Sequence, residues 1–197
     1  MASNTREKII DTIISLYGRH SYEEISTKQI TEEVGISKGT LYWHFASKED
    51  MFKEAFDRCY QKLVECSRMD IDENASGLDC LKRRLKNMVV FNKNDPDCMR
   101  FLIKHMPLMA KQLEIQDEAF PFKKELYTDV LKYLQKGLSS KEIVDLPLDF
   151  LCYFVLYPIT GGLTTYLNRD PQHYENESLI DKMIDSIFNA IKATAAS

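Results

Sequence analysis

Apolar residues recur at helical spacing along nearly the whole chain. The first clear segment places Ile9, Ile13 and Tyr17 on one helix face. Comparable faces recur over residues 78–91, 99–113, 122–138 and 180–191. No segment alternates apolar and polar residues over the length that a half-buried strand requires. The pattern therefore predicts an all-α fold.

Three further helices are predicted between residues 26 and 63, and each follows a serine. These serines are Ser26, Ser37 and Ser47, and Gly35 separates the first of the helices from the second. A serine side chain at a helix start accepts a hydrogen bond from a backbone N–H that lacks a partner inside the helix. Two short helices joined by a tight turn containing glycine are typical of a helix-turn-helix, whose second helix enters the major groove of DNA.

The helix after Ser37 has two faces that its sequence defines. Leu41 and Phe45 are four residues apart, so they must share the inward face. Trp43 lies two residues from each and therefore points outward. The positions around Trp43 supply small residues and hydrogen-bond donors. The predicted DNA-contacting residues are Thr27, Lys28, Ser37, Lys38, Gly39, Thr40, Tyr42, Trp43, His44 and Lys48.

Two kinds of DNA contact are predicted within this set. Hydrogen bonds to phosphate fix the register of a protein on DNA, whereas contacts to base edges carry the sequence information. The candidates for base contact are Lys38, Gly39, Thr40 and Trp43, and those for phosphate contact are Tyr42, His44 and Lys48. In the alternative reading, Tyr42 and Trp43 pack against a neighbouring helix and the short helices are only connectors.

These residues resemble the signature of the TetR/AcrR family of bacterial transcriptional regulators. The matching segments are residues 25–30, 34–45, 47–49 and 51–52. The resemblance implies a DNA-binding domain at residues 1–50, with its helix-turn-helix at about 26–45, and a helical ligand-binding and dimerisation domain at 51–197. It also implies a homodimer, usually a repressor, that binds a palindromic operator on double-stranded DNA and is released by an inducer.

The middle helices after residue 50 are rich in methionine and aromatic residues. Methionine is flexible and tyrosine supplies a hydroxyl group, so these side chains suit a pocket for a small, mostly apolar effector. The alternative is that they form the core of the domain. The predicted ligand-binding residues are Met88, Phe91, Met99, His105, Met106, Phe122, Tyr127, Tyr153 and Tyr157.

The stretch from Phe150 to Leu167 carries no charged residue and is long enough to raise the possibility of a membrane span. It contains Pro158, Gly161 and Gly162, and no basic cluster flanks it. We therefore expect one helix buried between protein surfaces, as part of a homodimer interface formed by the last two helices. The final helix would contribute an apolar stripe made of Ile180, Ile184, Ile187 and Ile191.

Charge and motifs restrict the remaining classes of function. The net charge of −4 argues against a protein that binds nucleic acid through its overall charge. Any DNA binding must therefore depend on a local surface. Five scattered cysteines and the absence of a leader segment favour a reducing cytoplasm. No catalytic motif or metal-ligand spacing occurs, so we predict no enzyme, cofactor or metal site. Two alternatives remain open: a metal sensor using Cys98, His105 and Met109, and a helical module for protein contacts.

Overall fold

A computed structural model describes residues 2–113 and 121–193; the side chains at 2, 3, 105–113, 121–124 and 171 are outside the description. Within those ranges the chain forms ten α-helices and no strand, which confirms the all-α prediction. The first five helices are α1 (Ala2–Arg19), α2 (Thr27–Val34), α3 (Lys38–His44), α4 (Lys48–Ser67) and α5 (Gly77–Asn94). The others are α6 (Pro96–Leu113), α7 (Pro121–Ser139), α8 (Leu148–Tyr157), α9 (Thr164–Leu167) and α10 (Glu177–Ile191).

The predicted starts of α2, α3 and α4 are confirmed. The Oγ atoms of Ser26, Ser37 and Ser47 each accept a 3.1 Å hydrogen bond from the backbone N–H three residues later. Gly35 ends α2 with φ +75°, in the left-handed region where a residue with a Cβ is strained. The local sequence thus fixes both ends of the turn between α2 and α3.

The chain divides into two compact units. The first contains residues 1–62 and 95–115, and the second contains residues 63–94 and 116–197. Helix α4 therefore contributes residues to both units. The predicted domain boundary between residues 50 and 51 falls inside α4, and it stays a prediction about which parts of the chain act as domains.

The first unit has an aromatic and aliphatic core formed by α1, α4 and α6. The ring of Tyr17 on α1 lies 5.3 Å from that of Phe52 on α4 and 4.8 Å from that of Phe101 on α6, centroid to centroid. Leu41 and Phe45 are buried in the same unit. Because Leu41 and Phe45 are buried, α3 is held by tertiary burial as well as by its cap.

The second unit corrects the prediction of one continuous helix from Phe150 to Leu167. Helix α8 is followed by a π-helical segment, Pro158–Leu163, and then by α9. Proline has no N–H to donate, so a regular α-helical ladder cannot run through Pro158. The helical stretch from Leu148 to Leu167 is long and apolar enough to cross a membrane by length and composition, and 39% of its most apolar 18 residues are buried inside the protein.

The isoleucine stripe of α10 faces the core of the second unit. Ile180, Ile184 and Ile191 are buried there together with Phe188, and Ile187 is only partly exposed. Helix α10 is capped by Asn176, whose side chain accepts a hydrogen bond from the Leu179 N–H. The structure corrects the predicted stripe in part: Ile180, Ile184 and Ile191 are covered within the chain, whereas Ile187 stays partly exposed. The homodimer itself stays a prediction.

Helices α5 and α7 approach most closely where two glycines meet. A Cβ on Gly77 would lie 2.5 Å from the backbone N of Gly137 and 2.5 Å from the backbone O of Tyr133. No side chain fits at that distance, so Gly77 permits this contact. A Cβ on Gly137 would instead meet the side chain of Ile143 at an ordinary 3.5 Å.

We expect Gly77→Ala to lower the free energy of unfolding by about 1–3 kcal/mol, because the helices must move apart. The matched control is Gly137→Ala, which we expect to be neutral or to stabilise by up to about 1 kcal/mol. Urea unfolding followed by circular dichroism measures both variants. Equal midpoints for the two alanine variants would contradict the role assigned to Gly77.

Candidate nucleic-acid interface

Helix α3 presents the two faces that its sequence predicts. Leu41 and Phe45 are 0% and 1% exposed, whereas Trp43 is 72% exposed. The indole packs only locally, edge-on to the imidazole of His44 with 4.6 Å between ring centroids. A tryptophan this exposed does not serve as a core residue, and the reading in which Trp43 packs against a neighbouring helix is therefore wrong.

The start of α3 forms a small polar surface. The Oγ of Ser37 lies 2.9 Å from the Oγ1 of Thr40. A Cβ on Gly39 would meet nothing closer than that Ser37 Oγ, at 3.7 Å, so the backbone there is open to close approach. The Nζ of Lys38 lies 5.8 Å from the ring centroid of Tyr42, which is itself 43% exposed.

All ten residues predicted to contact DNA are exposed or half-buried, and all lie in the first unit. Thr27 and Lys28 occupy the first turn of α2. The Lys28 ammonium faces the Glu32 carboxylate at 3.7 Å, and both side chains are more than half exposed. An exposed pair of this kind is weak, so Lys28 can exchange Glu32 for a phosphate at little cost.

Lys48 is held more tightly than its sequence position suggests. Its ammonium donates a hydrogen bond to the backbone carbonyl of Tyr22 and lies 3.9 Å from the Tyr22 ring centroid. Burial lowers the pKa of Lys48, and the nearby Glu23 and Glu49 oppose that effect. Two of the three ammonium N–H groups are not used by the carbonyl, so the contact directs Lys48 without exhausting its donors.

Tyr22 lies outside the set of site residues predicted from the sequence. Its hydroxyl donates a 2.9 Å hydrogen bond to Glu49, and burial together with this bond raises the pKa of Tyr22 to about 12. The residue lies in the turn before α2, far from Lys48 in sequence. No local pattern signals a contact across that separation.

Arg6 is also absent from the predicted set, and it joins three elements of the first unit. Its Nη1 donates a 2.6 Å hydrogen bond to the carbonyl of His44, at the end of α3. Its Nε donates a 2.9 Å hydrogen bond to Glu54 on α4, and the guanidinium lies 4.3 Å from the Phe45 ring centroid. Arg6 therefore fixes the C-terminal end of α3 against α1 and α4.

The predicted ligand-binding residues do not form one group. Met88 and Phe91 are buried on α5 of the second unit, whereas Met99 is buried on α6 within the first unit. Tyr153 and Tyr157 are 46% and 67% exposed. The ring centroid of Tyr153 lies 6.2 Å from that of Tyr127 and 5.9 Å from that of Tyr157. The side chains of His105, Met106 and Phe122 lie outside the described residues.

The metal-sensor alternative gains no support from the part of the chain whose side chains are described. No group of three or more potential His, Cys, Asp or Glu ligands occurs there. The Sγ of Cys98 lies 2.8 Å from the Sγ of Cys59, in the core between α4 and α6. His105 and Met109 lie outside the described side chains.

Comparison with known proteins gives a consistent result for both fold and class. Residues 9–55 match the model of the family described as bacterial regulatory proteins, tetR family. The nucleoid occlusion factor SlmA of Vibrio atlanticus is 25% identical over 179 residues, which is 89% of this chain and 90% of that protein. IcaR, a negative transcriptional regulator of the biofilm operon in Staphylococcus epidermidis, is 24% identical over 149 residues, 74% of this chain and 80% of IcaR.

A solved structure shows the same fold. The crystal structure of a tetR family transcription regulator from Shewanella sp. PV-4 superposes with a TM-score of 0.82 at 16% identity, covering 96% of this chain and 99% of that one. Together with the family match over α1 to α4, these comparisons support a DNA-binding regulator rather than an enzyme.

We expect Arg6→Ala to lower the free energy of unfolding by about 1–2 kcal/mol, because it removes charge-assisted hydrogen bonds to α3 and α4. Arg19→Ala is the control, since Arg19 is exposed and its side chain donates hydrogen bonds to Ser15 within α1. Thermal unfolding measures both variants. A decrease in Tm no larger for Arg6→Ala than for Arg19→Ala would contradict the clamping role.

Proposed function

Because the chain is a transcriptional regulator of the TetR family, we propose that it acts in the cytoplasm as a homodimeric repressor that binds a palindromic operator and is released by a small, mostly apolar effector. The observation that carries the DNA-binding part is the geometry of α3. Burial of Leu41 and Phe45 turns Trp43 and the Ser37–Thr40 turn toward solvent. The negative regulatory role of IcaR supports repression.

The charges of the first unit fit local rather than general attraction to DNA. Lys28, Lys38 and Lys48 stand at the first turns of α2, α3 and α4, where free backbone N–H groups also attract phosphate. Glu32 and Glu33 are exposed on α2 and repel phosphate outside the docked position. Affinity then depends on correct placement of α3 in the major groove, which is a basis for sequence specificity.

The exposed aromatic surface of α8 supports a homodimer. Phe150, Tyr153, Phe154 and Tyr157 are 51%, 46%, 37% and 67% exposed, and the Phe150 and Phe154 rings stack at 6.0 Å. A contiguous apolar patch on a regulator marks an interaction surface. The opposite face of the same helix is buried in the second unit through Leu151, so a second copy is a better cover than lipid.

Release by an effector requires unequal binding to two conformations. A ligand that binds the operator-bound and free forms equally shifts nothing, whereas a tenfold loss of operator affinity needs about 1.4 kcal/mol of coupling. Met88 and Phe91 supply buried apolar surface in the second unit. Helix α4 contributes residues to both units. It therefore connects effector binding in the second unit with DNA binding by the first through the chain itself.

We expect substitutions on α3 and at the helix starts to affect DNA binding differently. Lys38→Ala or Thr40→Ala should change sequence preference, because these residues are candidates for base contact. Lys28→Ala or Lys48→Ala should weaken binding to all duplexes and reduce the salt slope by about one for each phosphate that is no longer neutralised. Operators selected from genomic fragments and fluorescence anisotropy at several salt concentrations measure both effects.

Lys182→Ala is the matched control, since Lys182 is exposed on α10 in the second unit. It should leave affinity and salt slope unchanged. A folded Lys38→Ala, Thr40→Ala, Trp43→Ala variant that binds the selected operator as well as the wild type would overturn the proposed reading face. Absence of salt-sensitive binding to any duplex would favour the helical module for protein contacts.

We expect Phe150→Glu with Tyr157→Glu to give folded monomers, because charge is placed on the exposed face of α8. Operator affinity should fall at least about tenfold, since two reading heads span half-sites roughly 34–36 Å apart. Met69→Glu is the control, because Met69 is 58% exposed but lies outside α8. Sedimentation velocity at micromolar protein concentration measures the oligomeric state. A monomeric wild-type protein would exclude this interface.

A further inference from the structure

The side chain of Arg84 is fully buried in the second unit. It lies on α5, is 0% exposed, and is among the largest of the fully buried side chains. Guanidinium groups are rarely placed in a protein interior unless paired, because removing a charge from water is costly. The position of this charge therefore requires a compensating group.

The compensation supplied by the described residues is incomplete. The Nη2 of Arg84 lies 2.9 Å from the Oδ2 of Asp129 on α7. The same Oδ2 accepts a 2.7 Å hydrogen bond from the Nε of Arg68, so one carboxylate oxygen serves two guanidinium groups. The Nε, Nη1 and Nη2 of Arg84 all lack a hydrogen-bond partner among the described residues, so the contact of Nη2 with Asp129 is an ion pair only.

The electrostatic balance of the site agrees with this geometry. Burial lowers the pKa of Arg84; Asp129 and Tyr133 only partly oppose that effect, while Arg68 adds to it. Arginine nevertheless stays protonated in proteins. The buried group is thus a cation with unpaired donors, and it favours an anion over a neutral partner.

The buried neighbours of Arg84 on α5 are mostly apolar, and the polar one, Asn87, donates its amide N–H groups to the backbone carbonyls of Ser67 and Met69. Leu81, Met88 and Phe91 lie on the same helix face, at spacings of three, four and seven residues from Arg84, and all three are buried. Met88 and Phe91 are two of the residues that the sequence analysis names as candidates for ligand contact. One face of α5 therefore offers a buried cation with two turns of apolar surface beside it.

We propose that Arg84 binds the carboxylate of an amphiphilic acid whose apolar part lies along Met88 and Phe91. This inference rests on the proposed effector response and assigns the chemical class of the effector. A carboxylate matches the planar, forked donors of guanidinium and carries a single negative charge. A phosphate would bring up to two charges, for which one partly compensated arginine is a poor match.

The first experiment compares acids with their alcohols on the wild-type protein without DNA. Decanoate with decan-1-ol, and 4-tert-butylbenzoate with 4-tert-butylbenzyl alcohol, differ mainly in the charged head group. Isothermal titration calorimetry should show at least one acid binding about tenfold or more tightly than its alcohol, which corresponds to about 1.4 kcal/mol. Equal binding within both pairs, or no binding of either acid up to millimolar concentration, overturns the proposal.

The second experiment replaces the cation. Arg84→Met keeps an unbranched apolar stem although it is shorter than arginine, and it should not unfold the protein, because Asp129 keeps Arg68 as its partner. This variant should bind acid and alcohol equally, whereas the control Arg83→Met, which changes a half-exposed neighbour, should keep the wild-type preference. An acid preference that survives in folded Arg84→Met overturns the assignment.

A third variant keeps the proposal testable if Arg84→Met does not fold. Arg84→Lys retains the charge but not the fork, and it should bind the acid more weakly than wild type while still preferring it over the alcohol. If both Arg84 variants fail to fold, the wild-type comparison of acid and alcohol decides the proposal. The operator-binding test uses protein without added acid, so loss of the acid preference and loss of DNA binding are separate results.

Discussion

The burial of Leu41 and Phe45 is the constraint on which the proposed DNA-reading surface depends. Helix α3 has only seven residues, too few to be stable in water by backbone hydrogen bonding alone. The two buried side chains fix its rotation, and the Ser37 cap fixes its start. Trp43 is exposed as a direct consequence. A helix held in this way presents its outward residues in one geometry, which is what discrimination between base sequences requires.

The basic residues of the first unit serve either the internal structure or the surface. Arg6 directs its charge inside the unit, to the His44 carbonyl and to Glu54. Lys48 is directed by Tyr22, whereas Lys28 and Lys38 remain exposed. A chain with negative net charge can therefore carry a local positive surface, because the position of each charge matters more than their sum.

The second unit uses similar residue types for different purposes. Methionine and phenylalanine on α5 are buried, while the aromatic residues of α8 remain exposed, and the isoleucines of α10 complete the core. Arg84 stands among these apolar groups with one shared carboxylate partner. A stable core alone does not need such a charge, since apolar residues of similar volume fill the space at lower cost. The proposed recognition of an acid gives this charge a role inside an apolar site.

The sequence by itself determined the all-α fold, the caps of α2 to α4 and the outward position of Trp43, because helical period and capping are local properties. Tertiary structure decided the rest. Contacts such as Arg6 with His44 or Arg84 with Asp129 join residues far apart in the chain, and periodicity carries no information about them. An apolar stripe likewise shows only that a face is covered. Whether the covering group is the same chain, as for Ile184, or a partner depends on how the helices pack.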